Sequence, residues 1–175
     1  MFLIFDTETT GLPKRWNSPI TDHENWPRCV QIAWQLHDEM GNCLEHQDFL
    51  IKPEGFNIPY DAERIHGIST QLASKKGLTL VDVLSKFNDV LAKSKFVVGQ
   101  NVGFDINVLG CEYDRFKIKT LLNDLPVLDT CTEKTASYVN YLVAVEVNLS
   151  YLHLLNYINI YLMNHLPKLT MQLRM

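Results

Sequence analysis

Phe5-Asp6-Thr7-Glu8-Thr9-Thr10-Gly11-Leu12 is the stretch that decides how this 175-residue chain is read. The apolar run Phe2 to Phe5 leading into it predicts a buried strand. In an extended chain residues i and i+2 face the same side, so Asp6 and Glu8 emerge together at the end of that strand. Two neighbouring carboxylates on a buried strand repel each other and need a positive partner to stay ionised. Carboxylate oxygens suit a hard divalent cation such as Mg²⁺ or Mn²⁺ better than zinc. The same residues are also compatible with a solvated strand end closed by an Asp/Thr/Gly turn.

Length and composition set the frame around this segment. A chain of 175 residues suggests one domain with a sizeable core. A formal net charge of −4 excludes the broad basic footprint of a general nucleic-acid binder, although bound metal can supply positive charge locally. Cys29, Cys43, Cys111 and Cys131 are scattered without a Cys-x-x-Cys spacing, so reduced thiols in a cytoplasmic protein are expected. No charged leader with a long apolar stretch opens the sequence, so neither a signal peptide nor a membrane association is expected.

Outward from the first strand, the pattern is α/β. A polar loop from Pro13 to Arg28 carries three prolines with Trp16 and Trp26. This loop either grips a nucleic acid or a partner's surface, or simply packs. Val30 to Leu36 predicts a second strand, and Glu39-Met40-Gly41-Asn42 a turn into a third, Cys43 to Ile51. Asp61 is the expected cap of a short helix ending at His66, and Ser69 of the next. Leu80, Val83, Leu84, Phe87, Val90 and Leu91 recur at helical spacing. Phe96 to Val98 predicts a fourth strand, followed by a helix through Asp105 to about Tyr113. Val127-Leu128 predicts a last strand leading into a helix near Asp129.

Gly99-Gln100-Asn101-Val102-Gly103-Phe104-Asp105 is the second informative segment. Ligands of α/β folds gather at the carboxyl ends of strands, which would let Asp105 face the Asp6/Glu8 pair. An Asp in a first helical turn is also simply favourable to the helix dipole.

These segments, with Val30-Gln31-Ile32-Ala33, Ile65-His66-Gly67-Ile68 and Leu128-Asp129-Thr130, stand in the order found in the DEDDh 3′–5′ exonucleases. The chain most resembles the proofreading, epsilon-type module of bacterial DNA polymerase III, over roughly its first four-fifths. The resemblance implies a ribonuclease H-like fold, a mixed sheet flanked by helices. It implies that Asp6, Glu8 and Asp105 are catalytic and hold two divalent cations, Mg²⁺ or Mn²⁺, with Asp6 shared between them. It implies that Thr7, Thr9 and the Gly11-Leu12 backbone line the terminal nucleotide of a single-stranded DNA 3′ end, with Asn101 beside them. It also has Glu8 sense the 3′-hydroxyl. His66 either contacts the substrate strand or packs. A DNA polymerase III catalytic subunit, as a separate chain or a fusion, is the implied partner.

Family members take the proton from the attacking water with a histidine, in a His-x-x-x-x-Asp motif that also brings the last ligand. This chain has no such motif: neither His153 nor His165 has an Asp five residues later. Gln100 also stands where many relatives have His, although that position is not the base. From Tyr141 to Leu166 the chain is nearly uncharged, without a sustained helical or alternating pattern. A loosely packed helix would account for this; repeated Asn and His argue against a bilayer span.

The genetic code offers another explanation. The third base of each codon, read with the first two of the next from Asn140 onward, can spell a family-like sequence ending H-N-A-T-A-D. Synonymous codons permit most of its letters, but Met163-Asn164 forces a Glu and Met171-Gln172 forces the Ala after H-N. The expectation is therefore an exonuclease domain over residues 1–138 and an out-of-frame tail over residues 139–175. Three functions stay open: a proofreading-type exonuclease impaired in this chain, a related ribonuclease, or a nucleic-acid- or polymerase-binding module without turnover.

Overall fold

The computed structural model describes residues 1–131, built around a five-stranded sheet in the order β3-β2-β1-β4-β5. β1 (Phe2–Thr9) pairs antiparallel with β2 (Cys29–His37) and parallel with β4 (Phe96–Gly99). β3 (Cys43–Leu50) extends the antiparallel side, and β5 (Val127–Asp129) the parallel side. The sheet is thus mixed, with β1 at its centre. That position explains the unbroken apolar run: Phe2 to Phe5 are covered on both faces, as a central strand with parallel pairing requires.

β1 does not stop where its apolar run ends. Pairing continues through Thr7↔Ile32 and Glu8↔Gln31 to Thr9↔Cys29, with a shift in register between Glu8 and Thr9. Asp6 and Glu8 therefore lie inside a hydrogen-bonded strand, and not on a turn after it.

Four helices, α1 (Tyr60–His66), α2 (Thr70–Lys76), α3 (Leu80–Leu91) and α4 (Gly103–Arg115), accompany the sheet. All six apolar positions of α3 anticipated from spacing are buried, and Phe87 meets Phe5 edge-on at 5.2 Å and Trp34 at 5.4 Å. The Tyr113 hydroxyl donates to the Leu84 carbonyl at 3.1 Å, locking α4 to α3. Ser69 caps α2 by accepting from the Leu72 amide at 3.0 Å, as expected. Asp61 does not cap α1. The helix begins two residues earlier, at Tyr60 behind Pro59, whose ring presets φ near −62°, and Asp61 sits in the first turn as a charge favourable to the dipole.

The β4–α4 connection is tight. A Cβ on Gly99 would lie 2.7 Å from Val102 Cγ2 and 3.1 Å from the Phe5 carbonyl, so no side chain fits there. Asn101 adopts the left-handed conformation, φ 52°, which Asn tolerates better than most residues. Asp129 ends β5 where a helix start was expected, and its Oδ1 accepts from the Asn101 amide at 2.9 Å and the Cys131 amide at 2.8 Å. The expected out-of-frame tail lies outside the described residues.

Candidate active site

Strand alternation divides the second half of β1. Thr7 and Thr9 turn into the protein, 8% exposed each, while Asp6 and Glu8 share the opposite, half-buried face. Asp105 arrives from α4, whose start is fixed by the Gly99 turn. It is 4% exposed, and its Oδ1 accepts from both the Thr7 amide at 3.0 Å and the Thr7 hydroxyl at 2.6 Å. One residue of β1 thus clamps the first turn of α4.

The three carboxylates interact electrostatically. Burial, and then the Asp105 charge, push Asp6 up to about 7. Burial followed by the Asp6 charge pushes Glu8 up to about 7. Burial raises Asp105 to about 6, against the opposing hydrogen bonds from Thr7 and with a smaller contribution from Glu8. Among the described residues, no lysine or arginine ion-pairs with any of the three. The repulsion is the kind a divalent cation removes.

The donor set fits hard cations in one way and not another. Among the described residues no three His, Cys, Asp or Glu side chains converge into a group that would enclose one ion. Mg²⁺ rarely uses such a cage; it keeps waters and is held by one or two carboxylates plus substrate phosphate. Three carboxylates along one strand–helix seam suit ions seated in that open manner.

The remaining predicted site residues are spread around this seam. Thr7, expected along a terminal nucleotide, has its hydroxyl engaged by Asp105. The Thr9 hydroxyl donates to the Gly11 carbonyl at 2.7 Å and shapes the turn leaving β1, where Gly11 has φ 142°. Leu12 follows with 73% of its surface exposed. His66 Nδ1 accepts from the Ile68 amide at 3.0 Å, so the neutral ring carries its proton on Nε2. Nε2 is buried with no hydrogen-bond partner among the described residues, and burial lowers the His66 pKa. Asn101 is exposed, with its amide held by Asp129. Sequence reading missed the bracing role of Asp129, whose signals were its place at the end of an apolar pair and in the Leu128-Asp129-Thr130 block.

A model of the family described as Exonuclease matches residues 3–153. DNA polymerase III subunit epsilon of Rickettsia felis is 35% identical over 120 residues, covering 66% of this chain and 45% of that protein. The PolC-type DNA polymerase III of Pediococcus pentosaceus is 28% identical over 131 residues, covering 75% of this chain and 8% of that protein. Among solved structures, E. coli exonuclease I in complex with a dA16 oligonucleotide superposes with a TM-score of 0.63 at 25% identity, over 78% of this chain and 29% of that one. Another structure of that exonuclease with single-stranded DNA is its zinc-ion-bound form. The chain spans less than half the length of each of these relatives. The shared mixed sheet and helices make the fold ribonuclease H-like.

Proposed function

The chain belongs to the exonuclease family, and from that premise we propose that it is the exonuclease segment of a proofreading-type, metal-dependent enzyme that removes nucleotides from single-stranded DNA 3′ ends. The observation that carries this is the seam of Asp6, Glu8 and Asp105, three mutually repelling, half-buried to buried carboxylates clamped together by Thr7.

Asp6, Glu8 and Asp105 would hold two divalent cations, Mg²⁺ or Mn²⁺, which supply Lewis-acid stabilisation of the attacking and leaving oxygens of phosphodiester hydrolysis. The chain's own part is positional. Thr7 fixes Asp105 by holding its Oδ1 with both amide and hydroxyl. Thr9 shapes the Gly11 turn and so sets where Leu12 emerges for the terminal nucleotide. His66 lies beside the Thr9 backbone, which opposes the lowering of its pKa by burial.

The proton-accepting histidine and last carboxylate belong to the motif this sequence lacks. We propose that residues 139–175 are out-of-frame translation, and that the restored frame carries H-N-A-T-A-D. The family match itself runs to residue 153, past that boundary, so the codons decide the matter. A second reading, binding to nucleic acid or to a polymerase III catalytic subunit without turnover, is favoured for the chain as written by that missing motif. No helix among the described residues is long and apolar enough to cross a membrane. The likeness to DNA polymerase III subunits supports a place in the cytoplasm.

The test is digestion of 5′-labelled single-stranded DNA and RNA with Mg²⁺ or Mn²⁺. The chain as written should cut about 10²–10⁴-fold more slowly than its frame-restored form, the usual cost of losing a general base. Both should prefer DNA. Family-typical rates from the chain as written would contradict the need for the motif. A frame-restored protein that binds metal but never cuts would overturn the exonuclease reading.

A further inference from the structure

The two tryptophans of the Pro13–Arg28 loop have opposite environments. Trp26 is 3% exposed, and its indole N–H donates to the Pro19 carbonyl at 3.1 Å. Trp16 is 55% exposed, with its ring tilted against Phe104 at 5.8 Å. Phe104 immediately precedes Asp105 in the first turn of α4, so Trp16 stands on the same end of the molecule as the carboxylate seam.

The loop that presents Trp16 is braced. The buried Asn25 side chain accepts from the Arg15 amide at 2.8 Å and donates to the Arg15 carbonyl at 3.0 Å, holding the backbone one residue before the indole. The Lys14 amide donates to the Asn25 carbonyl at 3.1 Å. At the loop's far end His23 and Asp114 approach to 2.7 Å, and the Arg115 guanidinium donates to the Trp26 carbonyl at 3.0 Å. A large aromatic ring held this firmly, yet left in solvent, is arranged for contact. Two exposed cations precede it. Arg15 pairs with Asp22 at 3.2 Å, and Lys14 forms no ion pair among the described residues. In a chain of net charge −4 this Lys-Arg-Trp tip is a local exception.

We propose that Trp16 and Lys14 form a nucleic-acid contact outside the carboxylate seam: the indole stacks on a base of the single-stranded substrate, and the ammonium meets a backbone phosphate. An aromatic face accepts any base, and a neighbouring cation adds a sequence-independent term. The inference rests on the exonuclease reading for the identity of the strand. It assigns the loop to substrate and not to a polymerase surface.

Emission reports on it directly, because Trp26 and Trp34 are 3% and 0% exposed, leaving Trp16 as the accessible indole. Titrating the full chain with an oligothymidylate in EDTA should quench that emission saturably and shield it from acrylamide. Trp16→Ala should abolish the quenching and weaken binding about 5- to 100-fold, while Trp16→Phe retains most of it. An abasic oligonucleotide should bind both forms alike, and Lys14→Ala should flatten the logarithmic salt dependence by about 0.7. Trp16 remaining accessible under saturating oligonucleotide, or Trp16→Ala binding like the parent, would overturn the proposal and leave the loop to a protein partner. Cleavage abolished by Asp6→Asn but unaffected by Trp16→Ala would sink this inference while the exonuclease reading survives. Trp16-dependent binding without cleavage by the frame-restored protein would do the reverse.

Discussion

Helix α4 buries two carboxylates two turns apart and treats them in opposite ways. Glu112, fully buried, is surrounded by compensation: the Arg28 guanidinium at 2.9 Å, the Arg115 guanidinium at 3.1 Å and the Cys29 amide at 2.9 Å. Among the described residues Asp105, 4% exposed, has neutral donors, those of Thr7 and its own backbone amide, and it interacts with two further carboxylates. The first arrangement ties the Pro13–Arg28 loop and β2 to the helix; its charge is balanced within the protein through Oε1, while Oε2 is buried without a hydrogen bond. The second has no lysine or arginine ion pair among the described residues. A buried acid whose charge the fold leaves unbalanced marks the place where a ligand is expected, whereas a balanced one marks architecture.

The contrast predicts unequal consequences. In the frame-restored protein Asp105→Asn should reduce DNA hydrolysis to the limit of detection while leaving the fold intact, as read by circular dichroism. Glu112→Ala should do the opposite and destabilise the fold by about 3–5 kcal/mol, because two guanidinium groups lose their buried partner. Urea melts of both variants test this. A Glu112→Ala protein as stable as the parent would erase the distinction.

The pH dependence of metal-free stability sharpens the comparison. The acids of the seam have folded pKa values raised to about 6 and about 7 from ordinary values near 3.8 and 4.5. Their ionisation therefore disfavours the native state, and stability should fall as pH rises from about 4 to about 7. Asp6→Asn should remove part of that loss, leaving the variant on the order of 2 kcal/mol more stable than the parent at pH 8 and no more stable at pH 4. Thermal melts across that range, in EDTA, give the answer; a parent whose stability is flat from pH 4 to 8 would refute the electrostatic account.

Smaller effects follow from the clamps. Thr7→Val should weaken Mn²⁺ binding about 10–100-fold by freeing Asp105, as loss of a residue that orients a ligand typically does. His23→Ala breaks a partly exposed pair with Asp114 and should cost at most about 1 kcal/mol. Isothermal titration with Mn²⁺ and a urea melt, respectively, measure these.

Much of this was legible in sequence. Phe2 to Phe5 read as a buried strand because both faces are covered, and α3 read as a helix because one face is. The i, i+2 spacing of Asp6 and Glu8 was enough to put them on one side of β1. Other features were not legible. That β1 runs on to Thr9 depends on its pairing with β2, a tertiary fact. Asp61 failed as a cap because Pro59 preset the backbone two residues earlier. The resemblance implied a nucleotide contact for Thr7, but the second engagement of its hydroxyl, turned inward onto Asp105, depends on β1–α4 packing that sequence does not show. The division of labour between Trp16 and Trp26 depends on clamps contributed by α4, nearly a hundred residues away.

The most direct test is Mn²⁺ binding to the full chain at pH 6.5, measured calorimetrically in buffers of different ionisation enthalpy. If the seam is a cation site kept partly protonated by its own repulsion, Mn²⁺ will bind with release of protons, and both binding and release will disappear in the Asp6→Asn, Asp105→Asn double variant. Binding of equal strength by that variant, or none by the parent, would contradict it.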